Sequence, residues 1–424
     1  MADVEPPVPE QPSDARGRRT AKRRGRARKR HTVAKVLLAT ALSLAMVTGL
    51  GTIWLYRDLN SNLTVLDVVG QLDNRPDKPS DDEPGEPLNI LVMGSDDRDG
   101  AGNNIDGLTG DGERSDTTIL FHLSGDREFA YGVSIPRDSL VTRPECEAED
   151  GSTIPGAANA MWNEAFALGG PACTIQQFEQ LTDVRIDHYV VVDFAGFQTM
   201  VDAIDGVPVC IPEDIEDPAH GIRIPAGSRE IEGKEALNYV RARYTLGDGS
   251  DIGRVKRQQA FIAAMANKVV SGGVLARPDR LVGFLQAATE ALTVDPGLSN
   301  VLQLSKVGLG FNGIGLNQIR FITVPWAYDQ REEFRGRVVW TPAAETVWQR
   351  VRDDEVISRR LDSTAINAGN VPGSPGSGSD DGSDGGSDGP SGGSSDGPDS
   401  GSGGTDDARS EEDKAALEAA GLCT

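Results

Sequence analysis

The sequence predicts an α/β domain with a mixed central β-sheet and helices on both faces. A single transmembrane helix precedes this domain and a disordered acidic tail follows it. Between about residues 88 and 361, short apolar runs alternate with amphipathic stretches of helical period. An uncharged apolar segment runs from Val36 to Tyr56, and a Gly/Ser/Asp-rich stretch that cannot support a core follows Leu361. These three observations define the predicted architecture.

The N-terminus combines a basic flank with the apolar segment. Lys and Arg are dense between Arg16 and Arg30, and the following apolar segment is long enough to cross a hydrocarbon core of about 30 Å. No small-x-small cleavage site follows, which favours an uncleaved signal anchor over a signal peptide. The basic flank predicts a cytoplasmic N-terminus and an external remainder. Topology and anionic lipid headgroups explain this flank, so we predict no nucleic-acid partner.

The predicted organisation has five parts. They are a basic cytoplasmic tail (1–32), a transmembrane signal anchor (33–56), an extracytoplasmic stalk or linker (57–86), a folded domain (87–361) and a disordered Gly/Ser/Asp-rich tail (362–424). The short segment "EEDKAALEAAGLC" near the end of the tail is expected to be helical and to dock through a disulfide.

All four cysteines follow the apolar segment, which predicts an oxidising compartment and one or two disulfides. No CxxC or paired Cys/His spacing occurs, which argues against metal binding by cysteine. The favoured bridge joins Cys146 to Cys173, and a second would join Cys210 to Cys423.

The elements of the folded domain are predicted from periodicity and turn residues. In order, they are a strand "LNILVMG", a hairpin of "TTILFHLS" and "REFAYGVSIP", helices around Ala157–Leu168 and Thr174–Leu181, a strand "HYVVVDF", helices "AGFQTMVDAI", "ALNYVRARY" and "GRVKRQQAFIAAMANKVV", and a strand "IRFITVPW".

Charged residues occur where the first three predicted strands begin or end. Asp96 and Arg98 follow the first strand, Asp116 precedes the second, and Arg137 and Asp138 follow the third. If these strands are neighbours, Asp96, Asp116 and Arg137 meet at one sheet edge, where α/β proteins commonly bind ligands. Such a group predicts Mg²⁺ that bridges to phosphate oxygens. Taken singly, each Asp is better explained as a cap or turn residue and each Arg as its salt-bridge partner.

A second basic cluster lies between Tyr239 and Phe261, in a chain whose net charge is -23. It contains Arg241, Arg243, Arg254, Lys256 and Arg257. Guanidinium groups bind phosphate oxygens two at a time, which predicts an anion site, and an exposed helix face with solvated charges is the alternative. Before the Gly/Ser/Asp-rich tail the chain has no GxSxG, GxxxxGK[ST] or strand-following GxGxxG motif, so the corresponding enzyme classes are disfavoured.

Taken together, these segments resemble the LytR-CpsA-Psr (LCP) family. The segments "NILVMGSDDR", "RSDTTILFHL", "VSIPRDSLV", "HYVVVDFAGF", "DGVPV" and "ALNYVRARYTLGDGSDIGRVKRQQAF" occur in the order typical of that family. The resemblance is strong over about residues 88–270, and "GGPACT" is similar to actinobacterial members. It implies a membrane-anchored phosphotransferase that moves a glycopolymer from a polyprenyl-pyrophosphate carrier onto a muramic acid hydroxyl of peptidoglycan. Teichoic acid, capsule and arabinogalactan all remain open as the polymer.

The resemblance also assigns residues by motif. It implies Mg²⁺ held by Asp96 and Asp116, pyrophosphate bound by Arg98, Arg137, Arg241, Arg243, Arg254 and Gln258, and a catalytic group of Asp96, Arg98, Arg137 and Asp138. Asp138 would orient Arg137, and the base would be Asp96, Asp138 or a metal-activated hydroxyl. The lipid chain would lie in an apolar groove lined partly by "FIAAMANKVV". Two alternatives are a pyrophosphatase that acts on the same lipid with water as nucleophile, and a non-catalytic scaffold that binds polyprenyl phosphates.

Overall fold

The computed structural model describes residues 27–77, 85–95, 115–148, 150–218, 222–242, 250–271, 273–358, 365–372 and 411–423. The chain divides into two compact units, Met1–Tyr56 and Arg57–Thr424. The helices are α1 (Ala27–Asn62), α2 (Glu164–Thr182), α3 (Phe194–Ala203), α4 (Gly233–Arg241), α5 (Asp251–Ser271), α6 (Pro278–Ala291), α7 (Val301–Ile314), α8 (Pro342–Arg352) and α9 (Glu411–Ala419). The strands are β1 (Thr64–Val65), β2 (Leu88–Ser95), β3 (Ser115–Leu123), β4 (Ala130–Ile135), β5 (Leu140–Arg143), β6 (Cys146–Glu147), β7 (Thr153–Ile154), β8 (Ala157–Met161), β9 (His188–Asp193), β10 (Val207–Ile211), β11 (Ile215–Asp217), β12 (Ile222–Ile224), β13 (Gly227–Ile231), β14 (Leu292–Val294), β15 (Ile319–Thr323), β16 (Trp326–Tyr328), β17 (Val338–Trp340) and β18 (Ile366–Asn367).

The first unit contains most of α1, whose side chains are apolar and uncovered. Leu37, Leu44 and Met46 are 66, 65 and 67% exposed, so no protein core accounts for their composition. The segment Thr32–Asn62 is long enough and apolar enough to cross a membrane, with a mean hydropathy of 2.0 over an 18-residue window. It is the one helix with these properties among the described residues, which agrees with the predicted single transmembrane helix.

The second unit is built on an eight-stranded sheet with the order β1-β14-β9-β2-β3-β4-β15-β18. The pairs β1–β14, β9–β2 and β4–β15 are parallel, and the other four neighbouring pairs are antiparallel. The sheet is therefore mixed, as the sequence predicted. β3 and β4 form the predicted antiparallel hairpin.

Alternate residues of the central strands point to opposite faces and supply two cores. Ile90 belongs to the core formed with α3, α4 and α5, whereas Leu91 belongs to the core formed with α2 and α8. Helices therefore cover both faces of the sheet, which confirms the predicted fold class.

One local prediction is wrong. Ala157–Met161 is strand β8 and not part of a helix, because it pairs with β5 through Leu140 and Met161. Tertiary pairing here overrides the helix propensity of an alanine-rich segment. The helix begins at Glu164, and it continues through a kink at Gly169 and Gly170 into the second predicted helix. After β15 the structure also adds β16, β17 and α8, which the sequence analysis missed.

Segments on either side of the predicted domain also have defined structure. Within the predicted stalk, β1 pairs with β14, and Arg75 forms a 2.6 Å ion pair with Glu179. Within the predicted tail, β18 pairs with β15 and Glu411–Ala419 form α9. Disulfides join Cys146 to Cys173 and Cys210 to Cys423, so both expected bridges are confirmed.

Candidate active site

Several strand ends that were predicted to carry site residues lie at one edge of the central sheet. Ser95, the last residue of β2, pairs with Asp193 at the end of β9 and with Ser115 at the start of β3. β4 ends beside the same part of β3, because Ile135 pairs with Thr118. The backbone at Asp116 and the residues after β4 therefore share this edge, as predicted. Asp96 and Arg98 lie outside the described residues, and only the backbone of Asp116 is described.

An ion-pair cluster links the end of β4 to the start of α5. Asp251 Oδ1 lies 3.3 Å from Arg137 Nε and 2.7 Å from Arg254 Nη2. The side chain of Arg254 is 2% exposed and those of Arg137 and Asp251 are 16% exposed. Burial reduces solvent screening, so these charges act strongly on any anion that approaches them. Two of the predicted phosphate ligands, Arg137 and Arg254, thus contact the same carboxylate.

Asp138 adds a second carboxylate to this cluster. Arg337 Nη1 donates a hydrogen bond to Asp138 Oδ1, because β17 begins alongside Ser139. Burial raises the pKa of Asp138 above its ordinary value, and the negative charge of Asp251 raises it further, whereas Arg137, Arg337 and Arg254 oppose the rise. The cluster therefore combines three guanidinium groups with two carboxylates, one of which holds its proton more tightly than usual.

Arg241 and Gln258 flank the cluster on α4 and α5. The guanidinium carbon of Arg241 lies 4.9 Å from the centre of the Phe194 ring, at the start of α3. Gln258 Nε2 donates a 3.2 Å hydrogen bond to the carbonyl of Val240, so it also ties α5 to the end of α4. Arg243 lies outside the described residues.

Arg257 has a different environment from Arg254, although both lie on α5. Its side chain is 0% exposed, and it donates hydrogen bonds to the carbonyls of Ala420, at 2.9 Å, and Ala242. It therefore joins α9 to the residue that follows α4. This arrangement indicates a structural role for Arg257.

Asp251 and Arg337 are the cluster members that the sequence analysis missed. Asp251 had a usable signal, since an acidic residue three positions before Arg254 faces it on the same helix. Arg337 had none, because it follows the last predicted strand and reaches Asp138 only through tertiary structure.

The described side chains contain no group of three or more His, Cys, Asp or Glu residues that could hold a metal ion. Magnesium in phosphate sites commonly uses only one or two carboxylates together with phosphate oxygens and water. The predicted site with two carboxylates therefore does not need such a group of three. Ser95, which precedes the predicted ligand Asp96 in the sequence, pairs with Ser115, which precedes the predicted ligand Asp116.

An apolar cavity of about 360 Å³ lies between the sheet and helices α5, α6 and α7. Ile90, Val92 and Phe121 line it from the sheet, and the predicted "FIAAMANKVV" helix contributes Ile262 and Met265. Its wall is almost wholly apolar, which suits a hydrocarbon chain.

Comparison with known proteins agrees with this architecture. The probable cell wall biosynthesis protein LcpB of Corynebacterium glutamicum is 34% identical over 271 residues, which cover 62% of this chain and 61% of LcpB. The chain thus spans about three fifths of the length of that relative. The polyisoprenyl-teichoic acid–peptidoglycan teichoic acid transferase TagV of Bacillus subtilis is 28% identical over 289 residues, covering 66% of this chain and 68% of TagV.

Structural comparison supports the same fold. A solved LytR-Csp2A-Psr enzyme from Actinomyces oris aligns with a TM-score of 0.50 and 20% identity, covering 68% of this chain and 95% of that structure. The model of the LytR_cpsA_psr family matches residues 58–353. This match extends over more than half of the chain and agrees with the motif-based resemblance, and the protein therefore belongs to the LytR_cpsA_psr family.

Proposed function

We propose that this protein is a phosphotransferase that moves a glycopolymer from a polyprenyl-pyrophosphate carrier onto peptidoglycan. The observation that carries the proposal is the cluster of Arg137, Arg254 and Arg337 at one sheet edge, in a domain that also has an apolar cavity for a hydrocarbon chain. A lipid pyrophosphate has a charged pyrophosphate group that the arginines can bind and a hydrocarbon chain that the apolar cavity can hold. The name of TagV, a transferase from a polyisoprenyl carrier to peptidoglycan, supports the same substrate class.

The proposed reaction exchanges one P–O bond for another. The acceptor hydroxyl oxygen attacks the phosphorus that carries the glycopolymer and forms the phosphodiester. The bond from that phosphorus to the bridging oxygen breaks, and polyprenyl monophosphate leaves with the bridging oxygen. Arg137 and Arg254 would stabilise the charge on the transferred and leaving phosphates, with Arg98, Arg241, Arg243 and Gln258 as the further predicted ligands.

Asp138 is our candidate for the group that accepts the hydroxyl proton. Its pKa is raised mainly by burial, and a carboxylate accepts a proton more effectively as its pKa approaches the working pH. Asp96 remains the alternative base, and activation of the hydroxyl by a metal ion is a third route.

Mg²⁺ is part of the proposal, with Asp96 and Asp116 as its ligands. When bound, it would neutralise charge on the phosphate oxygens. The pairing of Ser95 with Ser115, the residues that precede these two positions, supports this assignment. Removal of divalent cations with a chelator should abolish transfer, Mg²⁺ should restore it, and Asp116→Asn should raise the Mg²⁺ concentration required.

The location proposed for the reaction is the outer face of the cytoplasmic membrane. The basic residues before α1 favour a cytoplasmic N-terminus, and the two disulfides favour an oxidising compartment for the second unit.

The test uses the full-length chain in detergent with a polyprenyl-pyrophosphate oligosaccharide, peptidoglycan glycan fragments and Mg²⁺. Mass spectrometry should detect the oligosaccharide joined to the glycan by a phosphodiester, and Arg254→Met should lose this product. Free polyprenyl monophosphate without conjugate would favour the pyrophosphatase. Donor binding without turnover, under conditions in which a known transferase works, would favour the scaffold.

A further inference from the structure

A second cavity lies at the same sheet edge, on the face covered by α2. Its volume is about 730 Å³, within the range of about 300–1,000 Å³ that small-ligand sites occupy. The apolar cavity described above uses Ile90, Val92 and Val190, whereas this one uses Ser95 and Val191. Because successive residues of a strand point to opposite faces, the two cavities lie on opposite sides of the sheet.

The wall of this cavity differs in chemistry from the apolar cavity. Thr64, Thr293, Gln71 and Asp193 contribute hydroxyl, amide and carboxylate groups, and Phe166 adds an aromatic ring. Hydroxyl, amide and carboxylate groups together with an aromatic ring are the wall types that bind polyhydroxylated sugars through hydrogen bonds and apolar contact. The lining includes no Lys, Arg or His side chain among the described residues, so it is poorly suited to a phosphate.

Ser95 provides an independent indication of a ligand. Its side chain is 4% exposed, and among the described residues its Oγ has no hydrogen-bond partner. A buried hydroxyl without a hydrogen-bond partner destabilises the protein, and a ligand hydroxyl that bonded to it would remove this cost.

The kink of α2 gives the cavity its shape. Gly170 has φ 60° and ψ −149°, a conformation that is essentially restricted to glycine, and a Cβ on Gly169 would lie 2.1 Å from Cys173 Sγ. The "GGPACT" segment therefore turns the first part of α2 away from the second, and the disulfide to Cys146 holds the turn. The residues of this turn line the cavity.

We infer that this cavity is the subsite for the acceptor glycan, an inference that rests on the proposed transfer reaction. In phosphoryl transfer the attacking and leaving oxygens lie roughly in line on opposite sides of phosphorus. A leaving oxygen directed toward the apolar cavity on one face of the sheet would place the attacking oxygen toward the other face. The α2-face cavity is on that side and has walls suited to a neutral sugar.

The test is a variant that fills the cavity without disturbing the fold. Ala167 lies on α2, lines the cavity and is exposed, so Ala167→Trp adds bulk inside it. Ala416→Trp, at an exposed position of α9 that is not among the cavity-lining residues, is the matched control. The second probe, Ser95→Ala, removes the buried hydroxyl while leaving the cavity open.

Two readouts on the full-length protein separate this inference from the proposed function. The first is direct binding, without donor, of a tetrasaccharide whose muramic acid carboxyl groups are blocked as amides, and the second is the KM for that glycan during transfer. Ala167→Trp should raise both the dissociation constant and the KM for the glycan by about tenfold or more. Ser95→Ala should raise them by less, and Ala416→Trp should leave both unchanged. Affinity for a lipid pyrophosphate should be unchanged in all three.

Transfer that proceeds with an unchanged glycan KM in Ala167→Trp would overturn the subsite and leave the transferase intact. Loss of affinity only for donors with a longer saccharide would overturn it as well, because the cavity would then hold donor sugars. Glycan binding that is lost in Ala167→Trp, in a protein that gives no transfer product, would support the subsite while the proposed reaction fails.

Discussion

Arg257 provides a sharp test of which arginines belong to the active site. It lies on α5 three positions after Arg254, yet its guanidinium group is fully buried and donates to the carbonyls of Ala242 and Ala420. Arg254 instead contacts Asp251 in the ion cluster at the sheet edge. On this account Arg257 stabilises the fold and Arg254 serves the reaction.

The perturbation is Arg257→Met, which keeps the buried aliphatic stem and removes the donors. Hydrogen bonds from charged groups contribute about 1.5–3 kcal/mol each, so the loss of two predicts a fall of about 3–6 kcal/mol in the free energy of unfolding. Domains have total stabilities of about 5–15 kcal/mol, which makes this a large fraction.

The assay pairs chemical denaturation, followed by tryptophan fluorescence, with transfer kinetics at a temperature where the variant stays folded. Arg241→Met is the matched control, because Arg241 is half-buried and not fully buried, and its cation–π contact with Phe194 contributes about 0.5–1 kcal/mol. We expect Arg257→Met to lose stability and keep kcat/KM, and Arg241→Met to lose about 100- to 1,000-fold in kcat with little change in stability. An Arg257→Met protein that is as stable as the parent chain but inactive would refute the assignment.

Three further predictions follow from local structure. Gly170→Ala should lower the free energy of unfolding by about 1–3 kcal/mol through backbone strain. Gly283→Ala, inside α6 with nothing within 4 Å of an added Cβ, should raise the free energy of unfolding by up to about 1 kcal/mol. Equal effects of the two substitutions in denaturation curves would contradict the strained kink. Burial raises the pKa of Tyr239 to about 12 from 10.0, so the unfolded chain loses this proton first as pH rises, and about 3 kcal/mol of stability should disappear as pH rises through these values. Tyr239→Phe should reduce that loss, and an unchanged alkaline stability profile would argue against it. Burial, with the charge of Asp251, raises the pKa of Asp138 above 3.8, so the folded state holds this proton more tightly than the unfolded chain does. The stability of the parent chain relative to Asp138→Asn should therefore fall as pH rises from below 3.8 through the raised pKa. A relative stability that grows over this range would mean that the guanidinium groups dominate.

The sequence predicted those features that depend on local pattern. β2, β3 and α5 carry clear periodicity and turn signals, and each appears where it was expected. Arg137, Asp138 and Arg254 were predicted as site residues because they stand at strand ends or within an unusually basic stretch of an acidic chain.

What escaped prediction depends on contacts between distant segments. The "AANAM" strand forms because β5 lies beside it, and no local signal in an alanine-rich sequence indicates such a partner. Arg337 reaches Asp138 across 199 positions of sequence, through a β16–β17 hairpin that was not predicted. The distinct roles of Arg254 and Arg257 likewise depend on burial and partners, which spacing along the helix does not reveal.

The central claim is that the acceptor is a glycan hydroxyl and not water, and an isotope measurement tests it directly. The transfer reaction would be run in water enriched in oxygen-18, with the lipid-linked oligosaccharide, glycan fragments and Mg²⁺ present, and both products analysed by mass spectrometry. Attack by a glycan hydroxyl places no solvent oxygen in either product, so we expect an unlabelled phosphodiester and unlabelled polyprenyl monophosphate. Incorporation of one solvent oxygen into either phosphate, with no conjugate formed, would contradict the account and identify the protein as a pyrophosphatase.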